Sequence, residues 1–386
     1  MKPPQIRTDR SNPFAHQTMS VRQPDTLREL ASRLPEKKKR IRAGLRTLAD
    51  ALQTNSFLQL LEPLAFDFET WQYAFEQHGR PAWLSTEWLF AETYLFRMVC
   101  AVTRFFETGE DPFALVKEEE LSSAALWEHM KRAAEVAGNE EEDLTKLLHY
   151  CLWGNRIDLS YRETASHGGY GGNTADLISN HTERVVRHLE ETDGPVHIVT
   201  DNAGSELAAD FMLARYLLGQ GPRSATRRVV FHLKFYPTYV SDATAADVRA
   251  FLGTLESRGS AFDPIALELN HYLDSSRITL APDPFWNSYE PFSGLPERLT
   301  RAFTGSALVI LKGDLNYRKL VEDRIWPADT PLSEFAPLFP APIALLRTMK
   351  SDPVVGLDRD AADSLDREDA QWRVNGRRGV LQFTGV

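Results

Sequence analysis

Cysteine is nearly absent: Cys100 and Cys151 are the only two among 386 residues, and no CxxC occurs. That speaks against a disulfide framework or a thiolate zinc site, and both residues are expected as small buried hydrophobes. Long apolar runs are scarce as well. The most apolar stretch, Trp88 to Phe106, carries Glu92, Arg97 and Arg104, which a lipid-facing span would not tolerate cheaply. The opening MKPPQIRTDRSNPF lacks the apolar run of a secretory signal. A soluble, cytoplasmic protein without a membrane partner is therefore expected. Positive charge is in the minority, 44 Lys+Arg against 54 Asp+Glu for a net −10, which argues against an extended nucleic-acid surface. Several catalytic signatures are missing too. There is no HExxH, HxH or GxSxG, and no GxGxxG follows the first apolar strand pattern. The Gly-rich HGGYGG at 167–172 lacks the GK[ST] ending of a phosphate-binding P-loop and reads as a flexible loop or lid.

What is present is an ordinary globular mix, 42% hydrophobic and 25% charged. The length suggests two or three domains, or one large domain with an elaborated half. Residues 1–26 are polar and Pro-bearing without periodicity, and an irregular arm is expected there. Residues 27–190 predict a mostly helical domain. Phe57, Leu60, Leu61 and Leu64 recur at helical spacing, Glu87–Phe106 predicts a central packing helix, and further helices are expected near 121–136 and 140–152. The basic run Lys37 to Arg40 reads as a solvated helix face. Residues 191–386 alternate short apolar runs with amphipathic helical patterns, which predicts an α/β fold with a mainly parallel sheet. Its strands are expected at 196–199, 228–234, 307–311, 343–346 and 380–383. His197, inside the first, reads as a core residue.

In open α/β sheets ligands bind at the carboxyl ends of strands, so the residues after each strand carry the information. They are Thr200-Asp201-Asn202-Ala203-Gly204-Ser205-Glu206, then Tyr239-Val240-Ser241-Asp242, then Gly313 to Lys319, then Arg347-Thr348-Met349-Lys350. Asp201, Asn202 and Asp242 are oxygen donors, the ligand class of Mg²⁺ or Mn²⁺ rather than zinc. Arg318 and Lys350 suit a phosphoryl group, one as a planar fork and one as a point charge. Helix starts after Asn202 and Leu315 would add backbone N–H donors. Any one of these clusters taken alone reads better as a cap or turn than as a site. Four at strand exits, with matching chemistry, point to phosphate transfer or hydrolysis. Acceleration of phosphomonoester hydrolysis can reach ~10²¹, about 29 kcal/mol, so a metal with several cations is the expected equipment.

These residues fall in motifs that resemble the metal-dependent damage-control phosphatase family, also described as acidic-residue (protein-glutamate) methyltransferase-like. The motifs are WGNRIDLS at 153–160, DNAGSEL at 201–207, YPTYVSD at 236–242, GDLNYRKL at 313–320 and RTMKSDPVVGL at 347–357. NPFAHQTMSVRQP and WLFAETYLFRMV extend the resemblance over nearly the whole chain, and RTMK resembles the RTxK signature of one subgroup. The resemblance implies an N-terminal helical domain and a C-terminal three-layer α/β/α sandwich with a Rossmann-like sheet. It implies Asp201, Asn202 and Asp242 as metal ligands, with Mn²⁺, Co²⁺ or Ni²⁺ favoured. It implies substrate contacts from Glu206, the segment Asp314-Leu315-Asn316-Tyr317-Arg318 and Lys350, and places Asn155 and Asp158 in the same cleft. The implied activity is removal of phosphate from sugar phosphates, fructose 1-phosphate-like substrates among them, or from damaged phosphometabolites. Asp201, Asp242 and Asp314 are the candidate catalytic groups. The nucleophile is a water or Asp201, and Asp314 is an acid or base or else an orienter of Arg318. Two rivals are an S-adenosylmethionine-dependent protein-glutamate carboxyl methyltransferase, for which one glycine in DNAGSE is a poor donor loop, and a sugar-phosphate-binding regulator without turnover. Oligomeric state is left open.

Overall fold

The apolar runs of the second half form one seven-stranded sheet in the computed structural model, which describes residues 2–136, 143–154 and 176–385. The strands are β1 (Leu177–Asn180), β2 (Val196–Val199), β3 (Val229–Lys234), β4 (Ile278–Asp283), β5 (Leu308–Lys312), β6 (Ile343–Thr348) and β7 (Gly379–Thr384). Their spatial order is β1-β7-β6-β5-β2-β3-β4. Neighbours from β6 across to β4 pair in parallel, β7 runs antiparallel to β6, and β1 is parallel to β7. Strands covered on both sides read as continuous apolar runs, which is why β2, β3, β5, β6 and β7 are predictable. Ile198, Phe231, Ile310 and Leu346 enter one apolar cluster, with helices Ala124–Val136, Asp143–Trp153 and Ser205–Gly219. Val199, Val309, Leu311 and Leu345 enter a second, with Trp286, Phe303 and Leu320. The alternation puts helices on both faces, the expected three-layer α/β/α sandwich.

The chain divides into two units, one of Met1–Leu115 with Pro237–Val240 and Asp323–Ile325, the other holding the rest. The helical stretch expected over 27–190 is thus split: helices Ala124–Val136 and Asp143–Trp153 share the core of the sheet instead of joining the N-terminal helices. Their amphipathic pattern reveals an apolar face but not which core receives it. Residues 1–26 are not an irregular arm. Asn12 caps the helix Pro13–Gln17 by accepting from Ala15 N at 2.8 Å, a π-helical turn follows at Thr18–Arg22, and helix Gln23–Arg33 continues. A π turn shifts the helical phase, so no 3.6-residue periodicity survives across it.

Within the first unit, Trp88–Thr103 is the central packing helix, buried nearly all round. Two of its buried charged residues are held by partners: Arg97 makes a bidentate pair with Asp67, both contacts at 2.7 Å, and Glu92 accepts from Gln23 Nε2 at 3.0 Å. Breaking such a buried pair costs roughly 3–5 kcal/mol. Among the described residues no helix is long and apolar enough to cross a membrane. Cys100 and Cys151 are both buried thiols, and Cys100 Sγ donates to Pro237 O at 3.2 Å. The HGGYGG loop lies outside the described residues.

Candidate functional site

The sheet order reverses between β2 and β5: from β2 the chain proceeds outward to β3 and β4, then returns to place β5 on the other side. At such a switch point the loops leaving neighbouring strands diverge and open a crevice. Asp201 leaves β2 there, and Gly313 leaves β5. Gly313 begins the helix Gly313–Leu320 with φ +80°, and a Cβ on it would lie 1.9 Å from Asp201 Oδ2. Glycine is what lets the carboxylate rest against the start of this helix.

On the other side of β2, the exit stays stitched to that of β3. Thr200 donates to His232 O from both N and Oγ1, at 3.1 and 2.8 Å. Ala203 N donates to Ser241 O at 2.7 Å and Ala243 N to Asp201 O at 2.9 Å, forming an isolated antiparallel bridge between Asn202 and Asp242. Two motifs distant in sequence thereby face each other. Asn202 Nδ2 donates to Glu206 Oε1 at 2.7 Å and to Asp201 Oδ2 at 3.2 Å, while its Oδ1 accepts from Ser241 Oγ at 2.6 Å. Gly154, the second residue of the WGN motif, closes on Glu206, where a Cβ would stand 2.9 Å from Glu206 Cγ.

This crevice carries excess negative charge. Burial drives the Asp201 carboxyl well above its usual range, Glu206 and Asp242 add to the rise, and Lys350 and Lys234 oppose it. Burial likewise raises Asp242 to about 6 against the pull of Lys234. Its buried Oδ2 has no partner of hydrogen-bond geometry, although Lys234 Nζ stands 3.3 Å away. Two crowded carboxylates, an orphaned carboxylate oxygen and an adjacent amide oxygen are a donor set that a divalent cation would relieve. Among the described residues no group of three or more His, Cys, Asp or Glu is arranged to hold a metal.

The opposite wall, from β5 and β6, is balanced. Burial alone would raise Asp314, but Arg347 and then Arg318 hold its carboxyl below the ordinary value. Asp314 Oδ1 accepts from Arg347 Nε at 2.8 Å and from Lys350 N at 3.2 Å, so its partner is Arg347 and it also fixes the loop that carries Lys350. Arg318 is buried and Lys350 is exposed at the rim. Asn316 Nδ2 donates to Lys312 O at 2.7 Å and Thr200 O at 3.3 Å, tying the helix to the end of β2, and its buried Oδ1 has no partner. Leu315 is buried. The Tyr317 side chain turns into the second apolar cluster, where its Oη accepts from Val355 N at 3.0 Å. Asn155 and Asp158 lie outside the described residues.

The family described as the damage-control phosphatase ARMT1-like domain matches residues 15–365. The chain belongs to this family. Damage-control phosphatase ARMT1 from Xenopus laevis is 30% identical over 398 residues, covering 90% of this chain and 88% of that protein. The protein of the same name from Mus musculus is 29% identical over 432 residues, with 96% of each chain covered. The crystal structure of a DUF89 family protein from Pyrococcus horikoshii superposes with a TM-score of 0.51 at 15% identity, covering 95% of this chain and 96% of that one, which is a likeness of fold. The damage-control phosphatase motifs that are separate in sequence meet here pairwise: Gly154 with Glu206, Asn202 with Asp242, Asp201 with Gly313, Asp314 with Arg347.

Four charged residues escaped the sequence reading. Lys234 closes β3 beside Asp242. Lys312 closes β5, 2.7 Å from Asp210 Oδ1 and 3.9 Å from Glu206 Oε2. Lys117 donates to Asp242 O, and Glu120 accepts from Ser205 N. A lysine ending a buried strand was a legible signal; Lys117 and Glu120, within a run of acidic residues, offered none.

Proposed function

We propose that this damage-control phosphatase family member is a divalent-metal-dependent phosphomonoesterase acting on a small phosphorylated metabolite, with sugar phosphates of the fructose 1-phosphate type as the first substrates to test. The observation that carries the reading is the concentration of carboxylates at the switch point, the partly buried Asp201 with the buried Asp242 and Glu206, facing a wall that bears Arg318 and Lys350. Asp201, Asn202 and Asp242 would hold the metal, Mn²⁺ first, with Co²⁺, Ni²⁺ and Mg²⁺ as alternatives. When bound, it supplies Lewis-acid polarisation of the phosphoryl group and offsets the carboxylate charge.

The remaining work falls to side chains. Arg318 and Lys350 neutralise phosphoryl oxygens as charge spreads over them in the transition state, a role worth most in a dry site. Asp314, ionised against Arg347, positions the Lys350 loop; a carboxylate held in this way is a poor proton donor, which favours the orienting role over the acid role. Asn316 keeps the start of its helix against Thr200 O, and so keeps Gly313 against Asp201. Water attacks phosphorus, the bond to the leaving oxygen breaks, and the water proton ends on the released alcohol. Glu206, held by Asn202 at 2.7 Å, is directed at the substrate.

Methyl transfer is the less favoured reading, since nothing in it calls for two buried carboxylates beside an arginine and a lysine. Chelator-stripped protein should release phosphate from p-nitrophenyl phosphate or a sugar-phosphate panel only when Mn²⁺, Co²⁺, Ni²⁺ or Mg²⁺ is restored. Absence of metal-dependent release on every substrate rejects the proposal, and labelled methyl appearing on protein glutamates would favour the rival.

A further inference from the structure

The two halves of the ligand set come from different strand exits, and like charges push them apart. Between them stand the two main-chain hydrogen bonds of the Asn202–Asp242 bridge. The helix Ala114–Ser122 brings two more contacts to the same place. Lys117, buried, donates from Nζ to Asp242 O at 3.0 Å and to Asp247 Oδ2 at 2.8 Å. Asp247 completes the capping box of helix Ala245–Glu256, accepting from Thr244 N at 2.8 Å, so Lys117 binds the main chain of Asp242 to a rigid helix start. Three residues on, and therefore on the same helix face, Glu120 Oε1 accepts from Ser205 N at 2.8 Å. Gly204, at φ +69°, admits it: a Cβ there would lie 2.1 Å from Glu120 Cδ. One helix face thus holds the backbone at Asp242 with a cation and the backbone just beyond Asn202 with an anion.

We propose that Lys117 and Glu120 are a positioning pair that sets the separation of the Asp201–Asn202 arm from the Asp242 arm, and thereby the affinity for metal. The inference rests on the metal-dependent reading given above. Side chains that orient ligands without touching the ion are worth roughly 10–100-fold in affinity.

The test is calorimetric titration of Mn²⁺ into chelator-stripped, folded protein. Relative to wild type, Lys117→Met is expected to weaken binding by about 10–100-fold, and Lys117→Arg to recover part of the loss. Glu120→Ala is expected to weaken it less, and the double variant by less than the product of the two, since both loosen one bridge. Glu118→Ala, at an exposed position of the same helix, should leave affinity unchanged. Melting of the metal-free samples separates the alternatives, because a merely structural role lowers the melting temperature while leaving the affinity of folded protein as it was. Should Lys117→Met not fold, Glu120→Ala decides. Affinities within twofold of wild type for Glu120→Ala and for any folded Lys117 variant overturn the inference but not the metal reading; a wild type that binds no divalent cation overturns both.

Discussion

Two clusters of charge lie near the exits of β2, β3 and β5, and they are built on opposite plans. Asp210 Oδ1 and Lys312 Nζ form a closed pair of charges at 2.7 Å, both almost fully buried, although the second Asp210 oxygen has no hydrogen-bond partner. Burial lowers the Lys312 ammonium's tendency to stay charged, but Asp210 more than compensates and its pKa ends raised. Asp201 and Asp242 are less completely closed: burial raises both, Glu206 adds to each rise, and Lys234 Nζ stands 3.3 Å from Asp242 Oδ2 without hydrogen-bond geometry. A protein tolerates a buried pair as scaffold, whereas unneutralised buried carboxylates persist only where something else requires them. Charge balance and burial therefore both separate scaffold from site here, since Asp210 and Lys312 are fully buried while Asp201 is only partly so.

The largest expected effect breaks the open cluster. Asp201→Asn should reduce kcat/KM by about 10³-fold, while the metal-free protein becomes no less stable and gains up to about 1 kcal/mol, because a repelled carboxylate has been removed. Steady-state kinetics and denaturant unfolding of the stripped protein measure the two halves. Activity within tenfold of wild type, or a marked loss of metal-free stability, would place Asp201 in the scaffold class.

The converse substitution acts on the closed pair. Lys312→Met leaves Asp210 buried without its cation and should cost about 3–5 kcal/mol, read as a lowered unfolding midpoint. Lys312→Met with Asp210→Leu should recover most of that loss, because two apolar groups replace a pair that broke even. If Lys312→Met unfolds with the wild-type midpoint, the pair carries no structural load and the contrast between the clusters fails.

The contrast also shows where sequence reasoning runs out. Asp201, Asn202 and Asp242 were visible because strands buried on both faces read as apolar runs, and the residues after them are few and polar. Glu206, Arg318 and Lys350 were visible at strand exits in the same way, and the family motifs added Asp314 and a substrate-contact role for its segment. Lys312 and Lys234 were not visible as partners, since pairing is decided by which strands adjoin, and strand order is not written in any local pattern. The edge strands were missed for a related reason. β1 reads Leu-Ile-Ser-Asn and stays half-exposed, and β4 ends in Ala-Pro-Asp, where an edge position makes the proline tolerable. The π turn at Thr18–Arg22 hid the first helices by breaking the phase on which helix recognition depends.

A third buried polar cluster sharpens the rule, because it is neutral. His197 Nδ1 and His232 Nε2 meet at 2.8 Å on the face of the sheet that carries Trp286 and Phe303, and the other nitrogen of each ring is unpartnered. Burial lowers His197 from 6.5 to about 4, and burial together with His197 lowers His232 well below its ordinary value. Between those limits the unfolded chain binds protons that the folded protein does not, so stability is present above pH 6.5 and is lost as pH falls toward 4. Each histidine can contribute at most about 1.36 kcal/mol per pH unit, or about 2 kcal/mol between pH 6.5 and 5. His197→Leu with His232→Leu should therefore flatten the fall in unfolding free energy between pH 7 and 5, even if it shifts the value at pH 7. An unchanged slope would mean that the pair is already protonated or hydrated in the folded state. It would then belong with the open cluster, as a buried polar group held against its own preference.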